Sequence, residues 1–383
     1  MPDIKPFQIN IPDDALKDLR LRLENTRWPE AETPDNWTQG VPLAYLKDVC
    51  EFWQNSYDWR ATETRLNKLP QYTLEIEGLN IHFVHVRSPH ENAKPLILTY
   101  GWPGSIVEFL KVIEPLTRPE LHGGKPEDAF HLVCPCLPGF GFSDKPDTTG
   151  WGVGKVATAW NTLMTTLGYD AYLAQGGDWG AAVTTAIGLQ NLGQCKGIHI
   201  NMPNAAPTPE ALKKPTERDQ EAFKGAKYYQ DWDSGYSKQQ ATRPQTLGYA
   251  LVDSPIGQAA WILEKFQSWT DCDGHLENIL TRTELLDNVM IYWLTASGAS
   301  SARLYWESFD TAFSPSKDAF VSLPTGCSIF PKEIVATPRP WAEQRYRNIV
   351  YWNELDKGGH FAAFEQPELF VQELRNCFRQ MPF

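Results

Sequence analysis

Residues 171–180, Ala-Tyr-Leu-Ala-Gln-Gly-Gly-Asp-Trp-Gly, join a short apolar run to the helix-forming residues 181–192. Gly176 and Gly180 flank Asp178 in the pattern Gly-x-Asp-x-Gly, and small residues at these two positions allow a sharp turn between a strand and a helix. Such a turn presents the middle side chain at the edge of a sheet. The stretch therefore predicts a strand, a tight turn that carries Asp178, and a helix.

Other short apolar runs lie on both sides of this stretch. Residues 95–100, 130–135 and 197–201 have the length and composition of buried strands, and helical segments separate several of them. Strands that alternate with helices form a mostly parallel sheet whose faces are covered by the helices. A further strand at 348–355 and a helix at 367–381 complete the pattern, which predicts an α/β fold.

Two parts of the chain depart from this alternation. The first ninety residues contain two amphipathic helices and a hairpin at 73–86, and the stretch 207–315 is helix-rich with aromatic clusters and few strands. We expect another strand to begin near Val321. The predicted organisation is an N-terminal extension, a core in two parts and a helical lid: residues 1–90, 91–207 with 317–383, and 208–316.

Composition narrows the classes of function. The 383 residues have a formal net charge of −12, which disfavours nucleic acid and anionic membrane surfaces as partners. The sequence contains no run of 18 apolar residues, so it shows no candidate for a membrane anchor. Seven scattered cysteines lack metal-ligand spacing, so we expect reduced, structural thiols and a cytoplasmic location. Aromatic residues make up 12% of the chain, which suits an apolar pocket for a small molecule.

Asp178 occupies the position where a serine nucleophile is usual in such a turn. No Gly-x-Ser-x-Gly occurs elsewhere in the chain, so serine-esterase chemistry lacks its nucleophile. A carboxylate attacks carbon directly and forms an alkyl ester, which suits strained or activated carbon centres such as epoxides and alkyl halides. The alternative is a structural role for Asp178 as the cap of the following helix.

An alkyl ester must be hydrolysed, which requires a base and an acid that orients it. His360 lies in the C-terminal stretch Gly-Gly-His-Phe-Ala-Ala-Phe-Glu, and the order nucleophile, acid, histidine predicts an acid before it. Glu333 follows a strand-like run 27 residues earlier and is the preferred acid. Glu354 and Asp356 are the competitors, but they lie too close to His360 in sequence.

The segment 100–105, Tyr-Gly-Trp-Pro-Gly-Ser, follows another predicted core strand. Backbone N–H groups from such a loop and from the residue after the nucleophile stabilise the oxyanion that forms during ester hydrolysis. We therefore predict an oxyanion hole from the N–H groups of Trp102 and Trp179.

Together these motifs resemble epoxide hydrolases of the microsomal type, in the α/β-hydrolase superfamily. The resemblance extends over essentially the whole chain and includes the lid motif at 253–266 and the motif at 358–365. It implies the α/β-hydrolase fold, hydrolysis of an apolar epoxide to a vicinal diol through an Asp ester, and a reaction without cofactor or metal. The sequence shows no counterpart of the membrane-spanning N-terminal segment of microsomal members, so we expect the protein to resemble the soluble relatives.

The resemblance also implies two lid tyrosines that donate to the epoxide oxygen. Within this resemblance, local context assigns these roles to Tyr236, in Ser-Gly-Tyr-Ser, and to Tyr305, in Ser-Ala-Arg-Leu-Tyr-Trp. The residue type suits the role, because a phenol is a neutral donor at pH 7. One departure is Tyr100, which stands where the family usually has histidine. Altered local hydrogen bonding and retained chemistry are expected there. Three other tyrosines remain alternatives: Tyr228, Tyr229 and Tyr292.

Two other functions and one structural question stay open at this point. A haloalkane dehalogenase would share the aspartate and the histidine, with Trp102 and Trp179 as halide-binding groups. A non-catalytic protein could use the same pocket to bind an apolar ligand. The N-terminal extension either wraps its own core or contacts a second copy in a homodimer.

Overall fold

The computed structural model describes residues 3–313 and 319–383. In this part of the chain nine strands form one sheet in the order β1-β2-β3-β5-β4-β6-β7-β8-β9. The six strands from β5 to β9 in this order pair in parallel, and β1 to β3 add an antiparallel edge. The strands are β1 (Lys5–Phe7), β2 (Gln71–Ile76), β3 (Leu79–Val86), β4 (Lys94–Thr99), β5 (Phe130–Pro135), β6 (Tyr172–Gly176), β7 (Cys195–Ile200), β8 (Thr325–Ile329) and β9 (Ile349–Glu354).

Helices cover both faces of the sheet, and the central strands read as continuous apolar runs for that reason. All six residues of β5 and all five of β6 are buried. Helices of the extension and core are α1 (Asp13–Glu24), α2 (Leu43–Asn55), α3 (Trp59–Leu66), α4 (Ile113–Thr117), α5 (Val153–Thr166), α6 (Trp179–Gln190), α14 (Arg339–Arg345), α15 (Ala362–Glu365) and α16 (Pro367–Arg379).

The lid is inserted between β7 and β8. Its helices are α7 (Pro209–Lys213), α8 (Glu217–Tyr228), α9 (Gly235–Thr242), α10 (Pro244–Asp253), α11 (Pro255–Trp269), α12 (Arg282–Leu294) and α13 (Gly298–Phe313). A π-helical turn, Tyr229–Asp233, connects α8 to α9. Because the insertion follows the carboxyl end of a parallel strand, the lid covers the sheet edge where ligands bind in this class of fold.

The N-terminal extension contacts both the sheet and the lid of its own chain. Its strands β1 to β3 continue the sheet, while its helices pack on lid helices. The carboxylate of Asp287 on α12 is fully buried and accepts hydrogen bonds from Tyr57 (2.9 Å), Thr62 (2.6 Å) and the guanidinium of Arg65. The extension therefore fixes the position of α12.

Most predicted elements are confirmed within one or two residues, including the hairpin, which forms β2 and β3. The strand expected near Val321 is wrong in its position. Val321 makes only an isolated bridge to Tyr346, and β8 begins at Thr325. Because Pro324 cannot donate a ladder hydrogen bond, regular pairing starts after it. The three-part domain division stays a prediction, and its boundary at residues 316 and 317 lies outside the described residues.

All seven cysteines lie among the described residues and are buried without disulfides, as expected from their spacing. Within the same residues, no helix combines the length and the apolar character needed to cross a bilayer.

Candidate active site

Asp178 lies at a strained turn between β6 and α6. Its φ of 50° and ψ of −126° are unusual for a residue with a side chain, and glycines on both sides make the turn sterically feasible. A Cβ on Gly180 would be 1.8 Å from the carbonyl oxygen of Thr99, and one on Gly176 would be 2.0 Å from the carbonyl oxygen of Gly180. The two glycines thus allow α6 to begin directly against the sheet.

The loop after β4 holds the Asp178 carboxylate. The backbone N–H of Trp102 donates to Oδ1 at 2.8 Å. A Cβ on Gly101 would lie 2.0 Å from the same oxygen, so only glycine permits this approach. The N–H of Trp179 belongs to the first turn of α6, where helix N–H groups have no acceptor within the helix. Both N–H groups predicted for an oxyanion hole are therefore next to Asp178 in the structure.

His360 lies between two carboxylates. Its Nδ1 is 2.5 Å from Oε1 of Glu333, and its Nε2 is 3.3 Å from Oδ2 of Asp178. Nε2 has no partner at hydrogen-bonding angles among the described residues. The structure therefore brings the predicted nucleophile, base and acid together, with Glu333 on the far side of the imidazole.

Lid and core both fix the loop that carries His360. The N–H of His360 donates to the carbonyl of Trp269 at 2.9 Å, and the N–H of Gly358 donates to Asp271 at 2.9 Å. Glu365 accepts from the N–H of Phe361 at 2.9 Å. Backbone hydrogen bonds on each side of the histidine set the direction of its ring.

The charge state of His360 follows from these neighbours. Burial alone lowers the pKa of His360, but the charges of Glu333 and Asp178 and the hydrogen bond with Glu333 outweigh it and raise that pKa well above its ordinary value. The two carboxylates therefore favour the charged imidazolium form of His360. Loss of the charge on Asp178 would remove one of the causes that raise the pKa.

A cavity of about 380 Å³ opens above Asp178, between the core and the lid. Asp178 and three lid tyrosines, at positions 229, 236 and 305, line one end of it. Most of the remaining surface is apolar, which favours ligands with a large hydrocarbon part. The apolar lining includes Met202, Phe223, Phe309, Phe313, Ile334 and Trp341.

Tyr236 and Tyr305 both face this cavity. The Tyr236 ring stacks on the Trp102 indole with 4.9 Å between centroids, and the Tyr305 ring meets Trp179 edge to face at 4.7 Å. Burial, together with the nearby charge of Asp178, raises the pKa of each phenol well above its usual value. Both hydroxyls are therefore neutral donors at the pH of a cell.

The three alternative tyrosines differ in their positions. Tyr228 is exposed on the lid surface, and the Tyr292 hydroxyl donates to the carbonyl of Gly104 at 2.8 Å, outside the cavity lining. Tyr229 lies in the cavity, and its hydroxyl is 3.3 Å from that of Tyr236. It is thus a hydrogen-bond neighbour of the predicted donor.

Glu108 also belongs to the site, although no sequence motif points to it. A second cavity of about 20 Å³, the size that one water molecule occupies, is lined by Glu108, Asp178, Asn201 and His360. Burial raises the pKa of Glu108 to about 8, and the charge of Asp178 adds to this effect. The available signal was a single carboxylate within the apolar run 106–110.

Tyr100 packs against the rings of Phe109 and Phe140, and its hydroxyl is buried without a hydrogen-bond partner among the described residues. Retained chemistry at this position stays a prediction. Across residues 3–313 and 319–383, no group of three His, Cys, Asp or Glu side chains is arranged to hold a metal ion.

Two family models match the chain. The model described as "Epoxide hydrolase N terminus" matches residues 4–109, and that described as "alpha/beta hydrolase fold" matches residues 94–234. The chain is 54% identical over 378 residues to a protein of Stigmatella aurantiaca named "Putative epoxide hydrolase", and covers 85% of it. It is 37% identical over 398 residues to epoxide hydrolase 1 of Sus scrofa and covers 88% of that protein. These alignments span 99% and 97% of this chain.

Solved structures agree with the sequence comparisons. Epoxide hydrolase from Aspergillus niger superposes with a TM-score of 0.88 at 32% identity, over 100% of this chain and 97% of that one. Juvenile hormone epoxide hydrolase from Bombyx mori gives a TM-score of 0.89 at 31% identity, over 99% and 95%. The α/β fold predicted from the strand and helix pattern and the α/β-hydrolase fold implied by the resemblance are confirmed, and the chain belongs to the epoxide hydrolase family.

Proposed function

We propose that the protein converts an epoxide and water to a vicinal diol through an ester of Asp178. One observation carries this proposal. A carboxylate held by a backbone N–H lies next to a paired histidine, at the end of an apolar cavity that two neutral phenols also line. A nucleophile, a base and two proton donors around one apolar space are the groups that epoxide hydrolysis requires.

In the first step, Oδ2 of Asp178 attacks a ring carbon of the epoxide, while Oδ1 keeps its hydrogen bond to Trp102. The carbon–oxygen bond of the ring breaks, and its electron pair goes to the epoxide oxygen. Tyr236 and Tyr305 donate hydrogen bonds to that oxygen, and one of them supplies a proton. The products are a hydroxyalkyl ester and a phenolate.

Ester formation prepares the base for the second step. The ester carries no charge, so the contribution of Asp178 to the raised pKa of His360 is lost. His360 can then release its proton, which restores the phenol. The imidazole becomes a base only after the ester has formed, and Glu333 keeps its Nε2 directed at the ester.

In the second step, His360 takes a proton from water, and the water oxygen attacks Cγ of Asp178. The N–H groups of Trp102 and Trp179 stabilise the oxyanion, and the neutral carboxyl of Glu108 orients the water in the small cavity. Collapse expels the alcohol oxygen, which takes the proton from His360. The proton left on Asp178 returns to His360, and the site regains its starting charges.

The apolar lining of the large cavity supports an apolar small-molecule epoxide with a large hydrocarbon part as substrate. We further propose that the protein is cytoplasmic and that it forms a homodimer. Cell fractionation checks the location, and light scattering during size-exclusion chromatography checks the dimer, with a monomer mass contradicting it.

A matched pair of substrates tests the activity against the two other functions. Wild-type protein, Asp178→Ala and Asp273→Asn are incubated with an apolar epoxide and with an alkyl bromide of the same size. Asp273 is exposed and also has a positive φ, which makes it the control. We expect diol from wild type and D273N, and a loss of about 10⁴-fold or more in D178A.

Bromide release without diol formation would instead establish a dehalogenase. Binding of epoxides without any product would establish a binding protein.

A further inference from the structure

Lys265 on α11 is a buried lysine inside the lid. The residue is 5% exposed, and its ammonium nitrogen is 2.6 Å from Oδ1 of Asp233 and 2.7 Å from Oε2 of Glu264. It also donates to the carbonyl of Asp233 at 3.3 Å. A buried ammonium requires such partners, because an unpaired charge in the interior is strongly unfavourable.

The ammonium lies over the ring of Tyr236, 4.8 Å from the ring centroid. The Trp102 indole stacks on the same ring at 4.9 Å with an interplanar angle of 10°. The Tyr236 ring therefore contacts both the ammonium of Lys265 and the indole of Trp102, whose backbone N–H binds Asp178.

Asp233 connects this lysine to the rest of the site. It lies at the end of the π-helical turn that precedes Tyr236, and its Oδ2 accepts from the indole N–H of Trp269 at 2.5 Å. The Trp269 ring packs against the rings of Tyr236 and His360, with 5.2 Å and 5.0 Å between the ring centroids. Single π-helical turns inside helices occur frequently at functional sites.

We propose that Lys265 is a positioning residue for ring opening, which holds the Tyr236 ring and stabilises the negative charge that forms on its oxygen. The inference rests on the proposed function. When the proton passes from Tyr236 to the epoxide oxygen, the charge is delocalised into the ring, directly below the ammonium. A cation over a desolvated aromatic ring interacts most strongly when that ring is electron-rich. Asp233 and Glu264 keep the cation in place.

If the ion pair of Lys265 were purely structural, it would stabilise the lid to the same extent whether or not Tyr236 carried its hydroxyl. The difference can be measured, because Tyr305 remains as a second donor when the hydroxyl of Tyr236 is removed. Tyr236→Phe keeps the ring, its stack on Trp102 and its contact with the ammonium. Only the group that accumulates charge is lost.

The experiment is a double-mutant cycle in single turnover. The neutral pair Lys265→Met/Asp233→Asn avoids a buried unpaired carboxylate and keeps an acceptor for Trp269. It is placed in the wild-type and Y236F backgrounds, and ester formation is timed by rapid quench and mass spectrometry. We expect a loss on the order of tenfold in the rate of ester formation in the wild-type background and less than twofold in the Y236F background.

The rate of ester hydrolysis, measured after the burst of ester formation, should be unchanged in all four proteins. Lys265→Arg, which retains a cation, should recover most of the rate. The matched control is Lys155→Met/Glu77→Gln, since Lys155 is also paired with a glutamate (2.9 Å) and lies 4.3 Å from an indole, that of Trp151, away from the site.

Equal losses in both backgrounds would overturn the inference and leave the proposed function intact. Absence of an ester in the wild-type protein would instead count against the proposed function itself.

Discussion

His360 depends on its two carboxylate neighbours for its charge. The pKa of its imidazole is raised because Glu333 and Asp178 outweigh the effect of burial. Asp178→Asn keeps the shape of the side chain but removes its charge, as the ester does. We expect the imidazole pKa to fall in D178N relative to wild type, as measured by NMR titration of the ring protons.

Asp271→Asn is the control for this titration, because it changes a carboxylate that contacts the histidine loop and not the ring. An unchanged pKa in D178N would contradict the proposed change of charge state during the reaction.

Glu108 should make stability depend on pH. Its pKa in the folded protein is about 8, above the ordinary value of 4.5, so the folded state binds this proton more tightly than the unfolded state. The stability contributed by the neutral carboxyl is complete below about pH 4.5 and is lost as the pH rises through 8. Glu108→Gln stays neutral and should remove this loss.

Chemical denaturation at several pH values measures the effect. E108Q should differ little from wild type at pH 5 and be more stable at pH 9, by a few kcal/mol at most. A difference that is the same at both pH values would show that Glu108 does not titrate in this range.

Candidate residues differ in how far the sequence reveals them. Asp178 and His360 lie in local motifs, and chain order points to Glu333, so these three could be predicted. The family resemblance, rather than spacing, selected Tyr236 and Tyr305. Glu108 and Lys265 could not be predicted, because their roles come from neighbours distant in sequence. Lys265 meets a carboxylate 32 residues earlier in the lid.

At the scale of elements, α6 can begin against the sheet only because Gly180 has no side chain. Gly180→Ala would place a Cβ 1.8 Å from the backbone oxygen of Thr99, and backbone in the middle of a sheet cannot move aside. We expect a loss of about 3 kcal/mol in the free energy of unfolding. Urea denaturation followed by circular dichroism measures it.

Gly154→Ala is the matched control in α5. Its nearest atom outside the helix would be 4.0 Å from the new Cβ, so alanine should stabilise the helix by about 0.5–1 kcal/mol. Similar effects of the two substitutions on the free energy of unfolding would show that close packing at the turn between β6 and α6 does not contribute to stability.

Strands and helices of the core could be predicted because their periodicity is strong and their caps are local. The strand near Val321 was misplaced, since apolar character does not show where backbone pairing starts. β8 is only five residues long and contains Thr, Gly, Cys and Ser, yet all of it is buried. Its position is set by neighbouring strands rather than by its own sequence.

At the scale of the whole molecule, the core and the lid enclose the large cavity, and the extension is attached to the lid. Asp287 links the lid to the extension through Tyr57, Thr62 and Arg65. Asp287→Ala would leave the buried hydroxyl of Thr62 and the partly buried hydroxyl of Tyr57 without their acceptor, and would remove the buried partner of the half-exposed Arg65. We expect a loss of about 3 kcal/mol in the free energy of unfolding, measured by urea denaturation.

Asp310→Ala, an exposed change on another lid helix, should alter this free energy by less than about 0.5 kcal/mol. A loss in D287A as small as that in D310A would mean that the extension does not fix the lid. The contact between them could not be predicted from the sequence, because its partners are more than 220 residues apart.

The covalent ester on Asp178 is the central claim, and intact mass spectrometry of His360→Gln tests it most directly. This variant should form the ester and fail to hydrolyse it. After incubation with an apolar epoxide, the account predicts a mass gain equal to the whole epoxide, mapped by peptide analysis to Asp178 and absent from D178A/H360Q. An unmodified H360Q protein that still produces diol at the wild-type rate would contradict the account.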